Sequence, residues 1–452
     1  MSKFLVIGGY EFRRMRRDRG FLALLLLLLA LSSYAIWNGI EWTDKRHAAI
    51  DLIKAEERDR RAFGRRFVES QLVIPATLAV LPPTEMSGVS IGQADAYPFH
   101  AEIYPLHDYS TLFKRVWGDI GSPDVRAAGR FDLAFVIVLL LPLVLLATTY
   151  DLWSKERERG IAALVVSQPI AISPLIWVRA VTRGVLILGP FIAWIVSASI
   201  WMGARDLANL VALACIVFIY GAFWIAIAVL INCITRRSAE AAIAAGAAWL
   251  LIVVMAPSLT LAAVDVIRPA PSAMGFATAL KARKAAVSKQ LQETAETITI
   301  KVRESSPTIP DRLRERYGER VALDEALWPL ISAHKQAERT RRDLLDTIRF
   351  FLPAVAIQDA LDRVAGSDAD RAIVFEQQVR ATQMALRQRY KTHLDNDTLL
   401  TLAEYDREPG FQFKESDTVF ETRLVLDLLT ALIATILIVV AMFSLRKKLA
   451  TP

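Results

Sequence analysis

Cysteine is almost missing from this chain: two residues in 452, Cys215 and Cys233. Both fall on one apolar run, where their separation of 18 residues would span roughly 27 Å of helix, too far for a disulfide. A disulfide framework and cysteine-based metal sites are therefore excluded, and packing alone must hold the fold together. Histidine is equally sparse. His47, His100, His107, His334 and His393 show no metal-ligand spacing, and HExxH does not occur. His100 and His107, near Tyr104 and Tyr109, read as loop residues rather than ligands. The phosphate loop GxxxxGK[ST] is absent too, so the chain has no recognisable means of holding ATP phosphates by itself. A formal charge of +7 could suggest nucleic acid, but the basic residues are not interleaved with aromatics as on a base-stacking surface. No tandem repeat or obvious inverted duplication appears.

What is abundant is apolar sequence: 54% of residues, against 22% charged. The two kinds are segregated into long apolar runs and charged connections, as a bilayer demands. Six spans are predicted, at Phe21–Trp37, Phe131–Tyr150, Gly184–Met202, Leu207–Ile231, Ala239–Ala263 and Leu424–Ser444. The first is long for a signal-peptide core and lacks a cleavage site of small residues, so it reads as a retained span. Pro142, Pro190 and Pro257 interrupt three of the runs, which neighbouring membrane helices tolerate, and AAIAAGAAW in the fifth would permit close helix approach. Ionisable residues in the runs are few. Asp132, Glu240 and Asp427 are expected near span ends in reach of water, Asp427 the deepest.

Lys and Arg near span ends mark the cytoplasmic side. Arg13, Arg14, Arg16, Arg17 and Arg19 precede the first span; Lys155, Arg157, Arg159, Arg179 and Arg183 separate the second from the third. Arg236 and Arg237 lie between the fourth and fifth, and Arg446, Lys447 and Lys448 follow the sixth. Both termini, residues 1–20 and 445–452, and the connection 151–183 are then cytoplasmic, while residues 38–130 and 264–422 lie outside. The first outer segment reads as a helix leaving the membrane and then Pro-rich loops. The second carries helical patterns at about Ala277–Glu304, Pro310–Ile348 and Asp368–His393, with PGFQF as an extended return. The apolar piece Phe350–Leu361 is too short to span, and is expected on the membrane surface or within the outer domain. The expected fold is thus an all-α membrane protein: six transmembrane helices, a mostly helical extracytoplasmic domain and an N-terminal interfacial helix. In that helix Phe4, Ile7, Tyr10, Phe12 and Met15 would anchor among Arg13, Arg16 and their neighbours, although a plain basic tail explains the arginines equally well.

The most informative connection is Tyr150–Arg183. Glu156, Arg157, Glu158, Arg159 and Gly160 form a charged stretch ending in glycine, followed by an apolar turn with Ile161 and Leu164 and then Ser167, Gln168 and Pro169. A charged helix and an amphipathic turn between two spans make a lever able to dock on a partner; the alternative is a solvated helix end with compensating charges. The pattern resembles that of type 2 ABC transporter permeases, with Ile161 and Ala162 where that family has Thr-Leu. A second stretch, Phe350–Tyr390, with Leu352, Pro353, Gln358, Leu361, Ala365, Gly366 and Phe375, resembles the outer domain of a subfamily with large periplasmic insertions, DUF3526, related to gliding-motility and copper-maturation ABC permeases. The resemblance implies the permease subunit of an ABC transporter in the bacterial inner membrane, an exporter of an amphipathic or hydrophobic substrate, paired with a second permease of the same or a related chain. It implies no catalytic residue, metal or cofactor on this chain. ATP and Mg would be held by a separate cytoplasmic ABC ATPase docking on residues 156–169, and a periplasmic or outer-membrane component could meet the outer domain. The reading from another class is a membrane assembly or signalling protein whose outer domain binds a partner; a membrane enzyme would need an acid, base or metal cluster that the sequence lacks.

Overall fold

The computed structural model describes residues 3–113, 130–167, 172–297, 308–415 and 417–445. Among them, six helices are long and apolar enough to cross a membrane. The first crossing helix is preceded by α1, Lys3–Met15, and is itself α2, Arg19–Arg65, started by Asp18, whose carboxylate accepts from Gly20 N and Phe21 N. At 1.5 Å per residue its 47 residues reach roughly 70 Å, more than twice a hydrocarbon core. Apolar run and charged extension are thus one continuous helix, which carries the chain out of the bundle into a separate polar layer.

The second crossing helix, α3, runs from Leu133–Phe135 through a π-helical stretch, Val136–Leu140, into Leu141–Thr149. The fifth, which becomes α8 in chain order, has the same form: Ser238–Trp249, a π stretch at Leu250–Met255, then Ala256–Ile267. Each π stretch lies just before a proline, Pro142 or Pro257. Proline lacks an N–H and its ring collides with the carbonyl four residues back, and a widened turn relieves the collision. Side chains satisfy carbonyls of the widened region: Tyr220 Oη donates to Val138 O at 2.9 Å and Trp249 Nε1 to Leu139 O at 3.0 Å.

After α3 come two short helices, α4 at Ser154–Glu158 and α5 at Ile161–Val166, then the crossing helices α6, Ile172–Trp201, and α7, Leu207–Ile234. Helix α7 is the axis of the bundle, packing on α3, α6, α8 and the last crossing helix. It meets α6 at two glycines. A Cβ on Gly184 would lie 2.2 Å from Ile225 Cδ1, and one on Gly221 2.5 Å from Leu188 Cδ1. Cys215 and Cys233 both sit on α7 and are unpaired. In α8 Ala241 and Ala245 are buried, with Ala244 and Ala248 partly buried beside them, whereas Ile243 and Gly246 face away.

The second polar segment builds helices α9, Ala273–Thr297, α10, Asp311–Arg349, α11, Pro353–Ala365, and α12, Ala369–Asn396, then α13, Leu402–Arg407. The chain returns through α14, Asp417–Leu445, the sixth crossing helix. With the far half of α2 these helices of the polar segment other than α11 form a layer with its own core, including Val68, Ile103, Phe375, Val379 and Tyr390. Among the described residues the fold is all-α except for one antiparallel ladder in the Pro-rich part, β1, Thr77–Val80, against β2, His100–Ile103. Two four-residue strands are too short to announce themselves by alternation. PGFQF is non-helical, as its sequence suggests, and Phe411 and Phe413 pack on Phe375.

Helix α11 departs from expectation. Rather than lying on a membrane surface or inside the polar layer, it seats its Ala354, Ile357, Leu361 and Val364 face against α7 and α14, in the same core as the crossing helices. The 3-4-3 spacing of those residues makes one apolar stripe, and Ala360 and Ala365 allow close approach. The same docking corrects the reading of Asp427 as a helix-end carboxylate in reach of water. Asp427 is fully buried, with Arg349 Nε at 3.3 Å and Arg363 Nε at 3.7 Å. Asp132 is also buried, accepting Phe135 N at 2.8 Å and Ile91 N at 2.9 Å, whereas Glu240 is exposed.

Candidate functional site

The end of the bundle that carries α1 also carries α4, α5 and the α7–α8 turn. Three of the five charged residues of 155–159 bond to other elements of the fold. Glu156 Oε1 accepts from Arg179 on α6 at 2.7 Å, Arg157 donates to Thr235 O at 2.9 Å, and Glu158 Oε2 accepts from Ser238 N at 3.2 Å. Lys155 makes a local i,i+4 pair, with Asp151 at 3.4 Å. A solvated charge run would show only such local pairs. Helix α4 is instead stapled to α6 on one side and to the α7–α8 turn on the other.

Asn232 fixes the chain entering α4. Its Oδ1 accepts Trp153 N at 3.0 Å, while its Nδ2 donates to Thr149 O at 3.1 Å and Ala228 O at 2.8 Å. Trp153 beside it is fully buried. A buried amide that bonds both the last turn of α3 and the start of α4 holds their angle, and leaving those backbone groups unpaired would be costly.

Gly160 then reverses the chain at φ +72°, in the left-handed region where a side chain is strained. From there α5 projects. Ala162 is its inward anchor, while Ile161 and Leu164 are exposed, Leu164 by 70%. Arg159 and Ser167 are exposed as well, and Ser167 Oγ donates to Leu164 O at 2.8 Å. Gln168 and Pro169 lie outside the described residues. The 156–167 part of the predicted segment therefore divides in two: Glu156 and Arg157, half-buried, and Glu158, at the surface, bond to neighbouring elements, and Arg159, Ile161, Leu164 and Ser167 stand on an outward face.

Helix α1 packs along α6 beside this region. Ile7 and Met15 turn toward the core, whereas Tyr10, Phe12, Arg13 and Arg16 are exposed, with Arg16 over the Phe12 ring. What fixes α1 is Glu11. Its Oε1 accepts from Arg183 Nε at 2.7 Å, and Arg183 Nη1 also donates to Thr148 O at 2.6 Å and Asp151 Oδ1 at 3.3 Å. Arg183 is thus no linker cation. It lies within α6, which begins at Ile172, before the predicted span, and both it and Glu11 are buried. Sequence reasoning missed Glu11 and Asn232. A lone acid in a basic tail and a lone amide closing an apolar run were their only signals. Among the described residues no cluster of His, Cys, Asp or Glu is suited to hold a metal.

Residues 279–414 match the family described as Domain of unknown function, DUF3526. That stretch runs from within α9 through the extended PGFQF return, so it covers most of the second polar segment and leaves the α4–α5 site outside. No curated protein matches the chain.

Proposed function

We propose that this chain is the permease subunit of an ABC-type exporter in the bacterial inner membrane, driven by a separate cytoplasmic ATPase that docks on α5. The observation carrying this reading is the division of labour at Gly160: α4 is held rigidly to α6 and the α7–α8 turn, and beyond the glycine Ile161 and Leu164 are offered outward, away from the bundle. A force applied to α5 would pass through α4 into three crossing helices. The arginines of α1 and of the α7–α8 turn gather at the same end, which supports a cytoplasmic placement. Exposed α1 residues Tyr10 and Phe12 suit a helix whose outer face meets the membrane interface. The partner subunit would hold ATP and Mg, and a second permease, identical or related, would complete the transporter.

The test is affinity purification from the native membrane with an ATPase assay, comparing wild type with Leu164→Asp and Ile161→Asp. Either aspartate on the outward face should cost tenfold or more of co-purified ATPase, about 1.4 kcal/mol or more of docking energy, while leaving the folded chain intact. Recovery of no ATP-hydrolysing subunit with gently solubilised wild type would overturn the reading in favour of an anchoring or signalling protein.

A further inference from the structure

A cavity of about 820 Å³ lies where the polar layer meets the bundle. It is within the size range of small-molecule sites. Its two halves differ in chemistry. One wall is apolar and belongs to the crossing helices and α11: Ala208 and Ala212 of α7, Leu424 and Val425 of α14, and Val364. The opposite rim is ionic, with carboxylates from Glu85, Asp206, Asp368, Asp370 and Glu415 against the guanidinium groups of Arg363 and Arg371.

The sign of the rim follows from its pairings. Arg371 is taken by Glu415 at 2.6 Å and Arg363 by Asp370 at 2.9 Å. Asp368 caps α12, accepting from Asp370 N at 3.0 Å and Arg371 N at 3.1 Å. Asp206 caps α7 through Ala208 N at 3.0 Å, and Glu85 accepts Arg205 N at 2.8 Å. Asp206 and Glu85 thus meet backbone amides, with no guanidinium lining the cavity left over for them. Two helix N-termini contribute roughly half a positive charge each. Five carboxylates less the two lining arginines and Arg423, which also meets Asp370 at 2.8 Å, leave a formal −2, which about one unit of helix charge does not cancel.

The geometry points to this cavity as a binding site for an amphipathic cation, its apolar part against α7 and α14 and its charged head toward Glu85 and Asp206. A neutral lipid would gain nothing from the rim, and an anion would be repelled by it. The place of this site as the loading point of a permease rests on the function proposed above; binding itself does not.

The experiment uses the full chain purified in detergent and two ions of one shape and opposite sign, tetraphenylphosphonium and tetraphenylborate, with protein-bound label read by scintillation proximity. Wild type should bind the cation and not the anion. Glu85→Gln with Asp206→Asn keeps the backbone acceptors but removes both charges, and should weaken cation binding about tenfold, as losing two carboxylates beside a bound cation at the cavity rim implies. Ala212→Trp should abolish binding by filling the apolar end, with Ala208→Trp as the substitute if that variant does not purify as a monodisperse species. Equal binding of the two ions, or cation binding unchanged in the double variant, would overturn the proposal. Neither readout requires an ATPase, so its failure is distinct from failure of the permease reading.

Discussion

At the scale of single residues, Asp362 carries a charge that the fold tolerates poorly. It lies on α11, buried, accepting from Ser90 Oγ at 2.6 Å and Gln358 Nε2 at 2.9 Å. Burial pushes its carboxyl up to about 7, against those two hydrogen bonds, and the nearby Asp359 and Asp132 carboxylates push the same way. An unfolded aspartate titrates near 3.9. The folded state therefore holds the extra proton between roughly pH 4 and 7, and stability falls as pH rises through that window. Asp362→Asn removes the charge and keeps an oxygen to accept from Ser90 and Gln358. Its melting temperature in detergent should exceed that of wild type at pH 8. The gain corresponds to a few kcal/mol, because every pH unit separating the folded from the unfolded titration is worth ~1.4 kcal/mol, and it should vanish toward pH 4. A gap of equal size at pH 4 and pH 8 would show that the carboxyl does not titrate there. Asp324 is the opposite case. Burial works against its charge, but Arg380 and Arg387, at 2.6 and 2.8 Å, and Tyr109 N hold its carboxyl below the ordinary value. Its contribution is present at neutral pH and is lost only as pH falls below about 4.

At the scale of elements, α1 is held by one buried ion pair rather than by a broad apolar seam. Removing one member of such a pair strands the other, at a typical cost of roughly 3–5 kcal/mol. Arg183→Met should therefore free α1 from α6, and trypsin should then cut at Arg13 and Arg14 faster than in wild type. Glu11→Gln, which leaves Arg183 the Asp151 carboxylate at 3.3 Å and still offers it an oxygen, should accelerate cleavage less. Equal cleavage in all three proteins would mean that α1 is retained by Ile7 and Met15 alone. The same contrast separates what is legible in the sequence from what is not. The six crossing helices and the helices of the polar layer announce themselves by apolar runs and by periodicity, because each signal is local. Arg183 reads as a loop cation because arginine in an apolar stretch looks like a boundary; only Glu11, 172 positions away, makes it an interior residue of a helix. Helix α11 is recognisable as apolar and too short to span, yet its seat depends on α7 and α14, which no local pattern encodes. In the candidate site, the charged run and the glycine are visible, but the partners that turn that run into a staple, Arg179, Thr235 and Ser238, come from other parts of the chain.

At the scale of the whole molecule, the polar layer and the crossing bundle are joined through α11 and the charges around it. Asp427 on α14 meets Arg349 from α10 and Arg363 from α11, Asp359 receives Arg349 at 2.6 Å and Arg363 at 2.8 Å, and Arg423 bridges Asp346 and Asp370 at 2.9 and 2.8 Å. These contacts link α10, α11 and α12 to the last crossing helix, at the opposite end of the bundle from α4. Because α14 also packs along α7, and α7 ends at Asn232 and the turn that clasps α4, the two ends share one rigid axis. Arg349→Met tests the junction. It removes the cation nearest Asp427 and leaves Arg363 to serve both Asp427 and Asp359, so α11 and the first turns of α14 should lose protection in hydrogen exchange by mass spectrometry, while the far core around Phe375 and Tyr390 keeps it. Asp427→Leu, which removes the buried charge and fills the space, should restore protection in the Arg349→Met background, since a buried ion pair can be replaced by apolar packing at little cost. Unchanged exchange in α11 of Arg349→Met would mean that the apolar stripe of Ala354, Ile357, Leu361 and Val364 carries the junction and that the charges only decorate it. Loss of protection reaching α4 would show that the junction and the α4–α5 site are read through the same axis, which a permease moved from one end and loaded at the other requires.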